Sequence, residues 1–193
     1  MTLADRLRRA LEQAPTEALL PGDLLEERSA ADTPAAVLIP VTDRAEPGVI
    51  LTVRREHLRT HAGQIAFPGG RLDPGESAVE AALREAWEEI GLEPGKVDVS
   101  GELDPYRTVT GYMMTPVIGV VPPDLPLAPH EQEVADWFEA PLAFLLDPAN
   151  HQRQSALFRG STRHYYEIIW NERRIWGATA AVIVNLSRRL GEF

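Results

Sequence analysis

The segment from Gly70 to Leu92 constrains this 193-residue chain more than any other. Ser77 and Glu80 have the spacing of a capping box, and Gly91 stands where a left-handed residue closes a helix. The spacing therefore predicts a helix from Ser77 to Ile90. At about 100° per residue, Glu85, Glu88 and Glu89 fall on one narrow side of that helix. Val79, Leu83, Ala86 and Ile90 fall on a neighbouring apolar side suited to packing on a sheet. Carboxylates so crowded raise one another's pKa unless a cation sits among them. Hard oxygen ligands at this density suit magnesium or manganese. Taken alone, three glutamates favour a plain solvated helix face; the flanking turns reverse that preference. Phe67-Pro68-Gly69-Gly70 can bring bare backbone close to the helix, where a carbonyl joins the metal shell. Asp73-Pro74-Gly75 supplies the turn between them. Arg84 is placed to hold the Glu85 carboxylate by paired hydrogen bonds.

Strands dominate the rest of the chain. Residues 35–41 read as a strand, a turn follows, and 49–54 alternates in the manner of a hairpin partner; 64–67 reads as a short extended stretch, and 97–103, 112–121 and 134–138 as further strands. A hairpin of 157–159 with 164–170 follows. Helices are expected over 3–13, 141–146 and 177–190, and a proline-rich loop over 122–129. Residues 16–33 read as irregular and 55–63 as a basic loop. This order predicts an α+β fold, an α/β/α sandwich with a mixed sheet. One domain over 1–193 is expected, its core at about 35–185 and a helical extension over 1–33.

Composition narrows the chemistry. The chain has no cysteine, so thiolate catalysis, disulfides and cysteine-held metals are excluded. The net charge of −10 disfavours a nucleic-acid partner. A phosphate-handling site here requires divalent cations or local arginines against the protein's own field. No apolar run reaches membrane-spanning length and the N-terminus lacks a signal-peptide core, so a cytoplasmic location is expected, with no membrane partner.

Gly70 to Leu92 resembles the Nudix box, G-x5-E-x7-R-E-U-x-E-E-x-G-U with U apolar. Gly70, Glu76, Arg84, Glu85, Glu88, Glu89 and Gly91 meet every fixed position, and Ala86 is the weakest match at an apolar slot. The resemblance implies a loop–helix–loop motif in a sandwich fold and a Mg2+ or Mn2+ cofactor. It also implies hydrolysis of a nucleoside diphosphate linked to another group. Carried over by position, Glu85, Glu88 and Glu89 are the expected metal ligands, with the Gly69 carbonyl as an additional one. Arg84 and Glu76 orient helix and loop.

Leu51 to Gly70 is similar to the signature of the coenzyme A pyrophosphatase subfamily, roughly L-L-T-x-R-[SA]-x3-R-x3-G-x3-F-P-G-G. Ile50-Leu51, Arg54, Arg59, Gly63 and Phe67 to Gly70 carry it, and Arg55 replaces a small residue. Further likeness at Glu133-Val134, Pro141-Leu142 and Trp176 to Ala180 extends it over about 35–185. This implies cleavage of coenzyme A to 3′,5′-ADP and 4′-phosphopantetheine. Arg54 and Arg59 are the expected phosphate clamps, and Glu85, or else Glu133, the base. His57 and His61 lack a third ligand in view and read as hydrogen-bonding side chains, and Trp176 as core. Two alternatives stay open. One is another nucleoside diphosphate derivative, since Pro105, Tyr106 and Tyr112 lie where other subfamilies carry specificity residues. The other is a nucleotide-binding module without turnover. A small-molecule substrate is the expected partner, with a homodimer left open.

Overall fold

The computed structural model describes residues 1–23, 32–55, 63–158 and 160–191. Its elements run α1 (Leu3–Glu12), β1 (Thr33–Thr42), β2 (Gly48–Arg54), β3 (Ile65–Ala66), β4 (Gly69–Arg71), α2 (Ala78–Ile90), β5 (Asp98–Glu102), β6 (Tyr106–Arg107), β7 (Tyr112–Val121), β8 (Val134–Pro141), α3 (Leu142–Leu146), β9 (Gln152–Phe158), β10 (Ser161–Trp170), β11 (Arg173–Trp176) and α4 (Ala178–Leu190).

β1 organises the main sheet. It pairs in parallel with β7 from Thr33↔Tyr112 to Thr42↔Val121, and antiparallel with β2 and β4 on its other edge. The path runs β3-β2-β1-β7-β5, with β8 added to β2 and β6 to β7. Alternation along β1 sorts its side chains onto two layers. Ala36 and Leu38 join Ile50, Val117 and Val121 beneath α2, while Ile39 and Val41 join Leu7, Leu51, Ile118, Ile183 and Leu186 on the side of α1 and α4. The fold is α+β, a mixed sheet between helices, as the sequence pattern predicts. Among the described residues no helix is long and apolar enough to cross a membrane.

α2 is fixed at both ends by its own residues. Ser77 and Glu80 form the reciprocal capping box, and Gly91 closes the helix at φ 68°, where a Cβ is penalised. Its buried face differs from the one expected. Ala81, Ala82, Ala86 and Ile90 are buried, whereas Val79 and Leu83 are only partly covered. Small side chains let the helix axis lie close to the strands, so the apolar stripe is carried by alanines. The alanine at the apolar slot of the motif is thus a packing requirement.

The C-terminal region also differs. The expected hairpin is part of a separate antiparallel sheet, β9-β10-β11, in which β9 begins at Gln152 and β11 was not foreseen. Arg153 and Gln154 interrupt the apolar alternation of β9, and Arg173 and Arg174 that of β11, so pairing with β10 makes these strands. Ile168 and Ile175 from this sheet enter the same core as α1 and α4.

Ala86→Leu is expected to overpack the seam between α2 and the sheet, at a cost of about 1–3 kcal/mol. Thermal unfolding should show it, at roughly 2–4 °C per kcal/mol for a chain of this length. An unchanged Tm would contradict the close packing of α2.

Candidate functional site

Arg84 is the hub of the loop–helix segment. Its Nε and Nη2 donate to the two carboxylate oxygens of Glu76 at 2.9 and 3.0 Å. Nη2 also donates to the Arg71 carbonyl at 3.0 Å, and Nη1 to Glu85 at 3.0 Å and Glu88 at 3.2 Å. These bonds to Arg84, and the Asp73 backbone N–H, hold the Glu76 carboxyl below its ordinary pKa.

The expected ligands are not equivalent. Glu88 is exposed and ion-paired to Arg84. Glu85 is half-buried, and burial raises its carboxyl above the ordinary value; Arg84 opposes this, and the charges of Glu88 and Glu133 add to it. Glu89 is 4% exposed, and burial pushes its carboxyl up to about 8. Arg54, whose Nη1 is 3.7 Å from Glu89, and the Gly69 N–H, which donates to Glu89 at 3.2 Å, pull the other way. Glu85 and Glu133 raise Glu89 further by repulsion.

A cavity of about 420 Å³ opens at this point. Glu85, Glu89, Glu133, Arg54, Gly69 and Gly70 line one end of it, so these expected site residues are brought together. Glu133, distant in sequence, is exposed and arrives at the start of β8, its carbonyl accepting from the Arg55 N–H at 3.1 Å. Arg59, His57 and His61 lie outside the described residues.

The two glycines make the meeting possible. α2 lies beneath the sheet, and Gly69 and Gly70 leave a gap through which its carboxylates reach the cavity. A Cβ on Gly70 would collide with the Glu85 carboxylate, and one on Gly69 with the Ala36 carbonyl and the Val37 backbone. The requirement at both positions is close approach.

Among the described residues the acidic side chains do not converge into a ready-made set of three ligands. The donor chemistry nonetheless fits a hard divalent cation. Two mutually repelling carboxylates, one of them buried, face the cavity beside bare backbone. Arg54 Nε is buried with no hydrogen-bond partner among the described residues, a donor suited to an anionic ligand.

Several cavity residues escaped the sequence reading. Trp176 is not core: it is partly exposed and lines the wall, with Arg174 over its ring at 4.9 Å and Tyr165 edge-on at 5.9 Å. The likeness of the stretch from Trp176 to Ala180 to a segment of the coenzyme A pyrophosphatase subfamily was the available signal. Of the suspected specificity residues, Tyr112 lines the cavity. Tyr106 is buried, its hydroxyl donating to Asp23, and burial with that neighbour raises its pKa. Pro105 is exposed and does not line the cavity. Asp23 and Arg71 also line the cavity, at positions no motif marked.

A NUDIX domain model matches residues 32–159. The chain belongs to the Nudix hydrolase family. It is 46% identical over 158 residues to an uncharacterized Nudix hydrolase, NudL, of Escherichia coli K12, covering 81% of this chain and 82% of that one. It matches the NudL of Shigella boydii to the same extent. Among solved structures, the Nudix hydrolase RenU of M. smegmatis superposes with a TM-score of 0.51 at 24% identity, over 58% of this chain and 72% of that one. A MutT/nudix protein of Enterococcus faecalis does so with a TM-score of 0.50 at 15% identity, over 97% and 68%. These two likenesses concern the fold alone. Family membership makes this a hydrolase of nucleoside diphosphate derivatives.

Two outcomes test the geometry of this Nudix site. Gly70→Ala meets only the end of a flexible side chain, so the protein should fold normally while Glu85 is displaced and turnover falls about tenfold or more. Gly69→Ala meets backbone and should lower Tm as well. Equal, wild-type behaviour of both would show that the glycine gap is unimportant.

The second outcome concerns Glu89 in chelator-treated protein. Unfolded, this carboxyl loses its proton near the ordinary glutamate value; folded, it keeps it to about 8. Between those values the folded state binds more protons, so the contribution to stability present at low pH is lost as pH rises through that window. Glu89→Gln should flatten this dependence and raise Tm above wild type at pH 8.5. A Tm below wild type at that pH would show that Glu89 is stabilised as the carboxylate.

Proposed function

We propose that the cavity hydrolyses the pyrophosphate bond of coenzyme A or its derivatives, giving 3′,5′-ADP and 4′-phosphopantetheine. One observation carries this reading. The acidic end, with Arg54 beside it, continues directly into a wall of Ile65, Ala66, Phe67, Met114 and Trp176. A substrate matching both parts has a diphosphate joined to a long, weakly polar arm. The coenzyme A-like signature from Leu51 to Gly70 supports the same reading, since Arg54, Phe67 and the two glycines all border the cavity.

Nudix hydrolases generally use divalent metals such as Mg2+ or Mn2+. Here Glu85, Glu88 and Glu89 would hold the cation with the Gly69 carbonyl. Such an ion neutralises diphosphate charge and lowers the pKa of the attacking water. The protein's own residues do the rest. Arg54 holds the diphosphate from the cavity side. Arg84 orients Glu85 and fixes the loop. Glu85 takes the proton of the attacking water, its raised pKa bringing it nearer to the range of an effective base. Glu133, exposed on the cavity, is the second choice for that role. One domain spanning the chain belongs to this reading, because α1 and α4, which flank the matched segment, share its core.

Incubation with coenzyme A and Mg2+ or Mn2+ should yield 3′,5′-ADP and 4′-phosphopantetheine on chromatography, with no inorganic phosphate, and chelator should abolish the reaction. Intact coenzyme A beside ready cleavage of another nucleoside diphosphate derivative would overturn the substrate. Binding of nucleotide with no cleavage of any diphosphate under either metal would make the protein a sensor.

A further inference from the structure

The cavity has a second polar end, built on other strands. Arg71 of β4 stands opposite Ala35 of β1, and Tyr112 of β7 stands opposite Thr33. The guanidinium reaches across β1, and Nη2 and Nε donate to the Tyr112 hydroxyl at 2.7 and 3.2 Å. It also lies 5.4 Å from the centre of that ring. Both residues line the cavity, and Arg71 is exposed there. The wall is braced: Thr33 N–H donates to Gly111 O at 2.9 Å, and Tyr112 N–H to Thr108 Oγ1 at 3.1 Å.

The cations of this site are committed differently. Arg84 spends its donors on Glu76, Glu85, Glu88 and a carbonyl, and Arg54 faces Glu89. Arg71 has no carboxylate partner among the described residues. Asp23, the acid on its wall, is engaged by the Tyr106 hydroxyl and by the Val109 N–H at 2.9 Å. An arginine side chain carries about 2 kcal/mol of rotamer entropy. The two hydrogen bonds to the Tyr112 hydroxyl, with the ring close by, restrain it before any ligand arrives. In a chain of net charge −10, a preset guanidinium without a counter-ion, facing a cavity, is a receptor for an anion, and its fork suits phosphate oxygens.

We propose that Arg71, oriented by Tyr112, binds a terminal phosphomonoester of the substrate, separate from the diphosphate under cleavage. The inference rests on the coenzyme A reading, in which that group is the ribose 3′-phosphate. Arg71 is a specificity contact and Tyr112 its positioning residue; no bond is made or broken at this end.

The test uses 3′,5′-ADP and 5′-AMP, which differ by this one group and contain no anhydride bond, so their binding can be measured by calorimetry in Mg2+ without turnover. The overall charge of the protein disfavours the more anionic ligand, so a preference for it reports a specific contact. Wild type should bind 3′,5′-ADP about ten- to a hundredfold more tightly than 5′-AMP, the size of a charge-assisted hydrogen bond. Arg71→Gln should collapse that ratio towards one. Tyr112→Phe, which keeps the ring and removes the orienting hydroxyl, should lose part of it. No preference in wild type, or a preference retained in Arg71→Gln, overturns the proposal. So does equal weakening of both ligands, which would place Arg71 on the nucleobase or ribose they share. Wild type that shows the preference yet leaves coenzyme A intact supports this anion site and refutes the hydrolysis of coenzyme A.

Discussion

The site depends on how Arg84 distributes its donors. A guanidinium has five N–H groups in a fixed plane. Here they meet both oxygens of Glu76, one each of Glu85 and Glu88, and the Arg71 carbonyl. One side chain thus ties the loop after β4 to the middle of α2 and sets the direction of Glu85. A lysine, as a point charge with three donors, has no equivalent arrangement. Arg71 ends β4 at the head of that loop, so the same bonds that aim the Glu85 carboxylate hold the strand end from which Arg71 crosses to Tyr112.

Against this satisfied network stands an unsatisfied one. Glu85, Glu89 and Glu133 face a common space, and from the cavity side only Arg54 and the Gly69 N–H offset Glu89 among the described residues. Buried repelling carboxylates weaken a fold that contains no cation. The surrounding packing tolerates that cost. Ala81, Ala82 and Ala86 seat α2 closely on β1 and β7, and the glycines at 69 and 70 let its carboxylates through. Local rules of stability are broken where chemistry is required, and the neighbouring core keeps the breach in place.

Much of this was readable in one dimension. The capping pair Ser77–Glu80, the closing glycine at 91 and the spacing of the glutamates are local signals, and the structure carries them unchanged. The ends of β7, Tyr112 and Val121, were equally legible, because the apolar run stops at the proline-rich segment that begins at Pro122. Other readings failed for a common reason. Trp176 looked like core because a tryptophan beside an apolar helix usually is, yet it ends a strand at the cavity wall, where the first residues of α4 also line it. β9 and β11 carry arginines and glutamine in place of apolar alternation, and they exist because β10 offers them partners.

By itself, the sequence determined the family, the loop–helix–loop motif and the acidic donors on α2, because each depends on residues within a few turns of one another. Only the tertiary structure decided which of those donors face the cavity, and that Glu133, Arg54, Trp176 and the Arg71–Tyr112 pair join them. Those residues come from separate strands of two sheets. Their meeting is set by strand register across β1 and by the glycine gap in β4, and neither leaves a periodic trace in the chain.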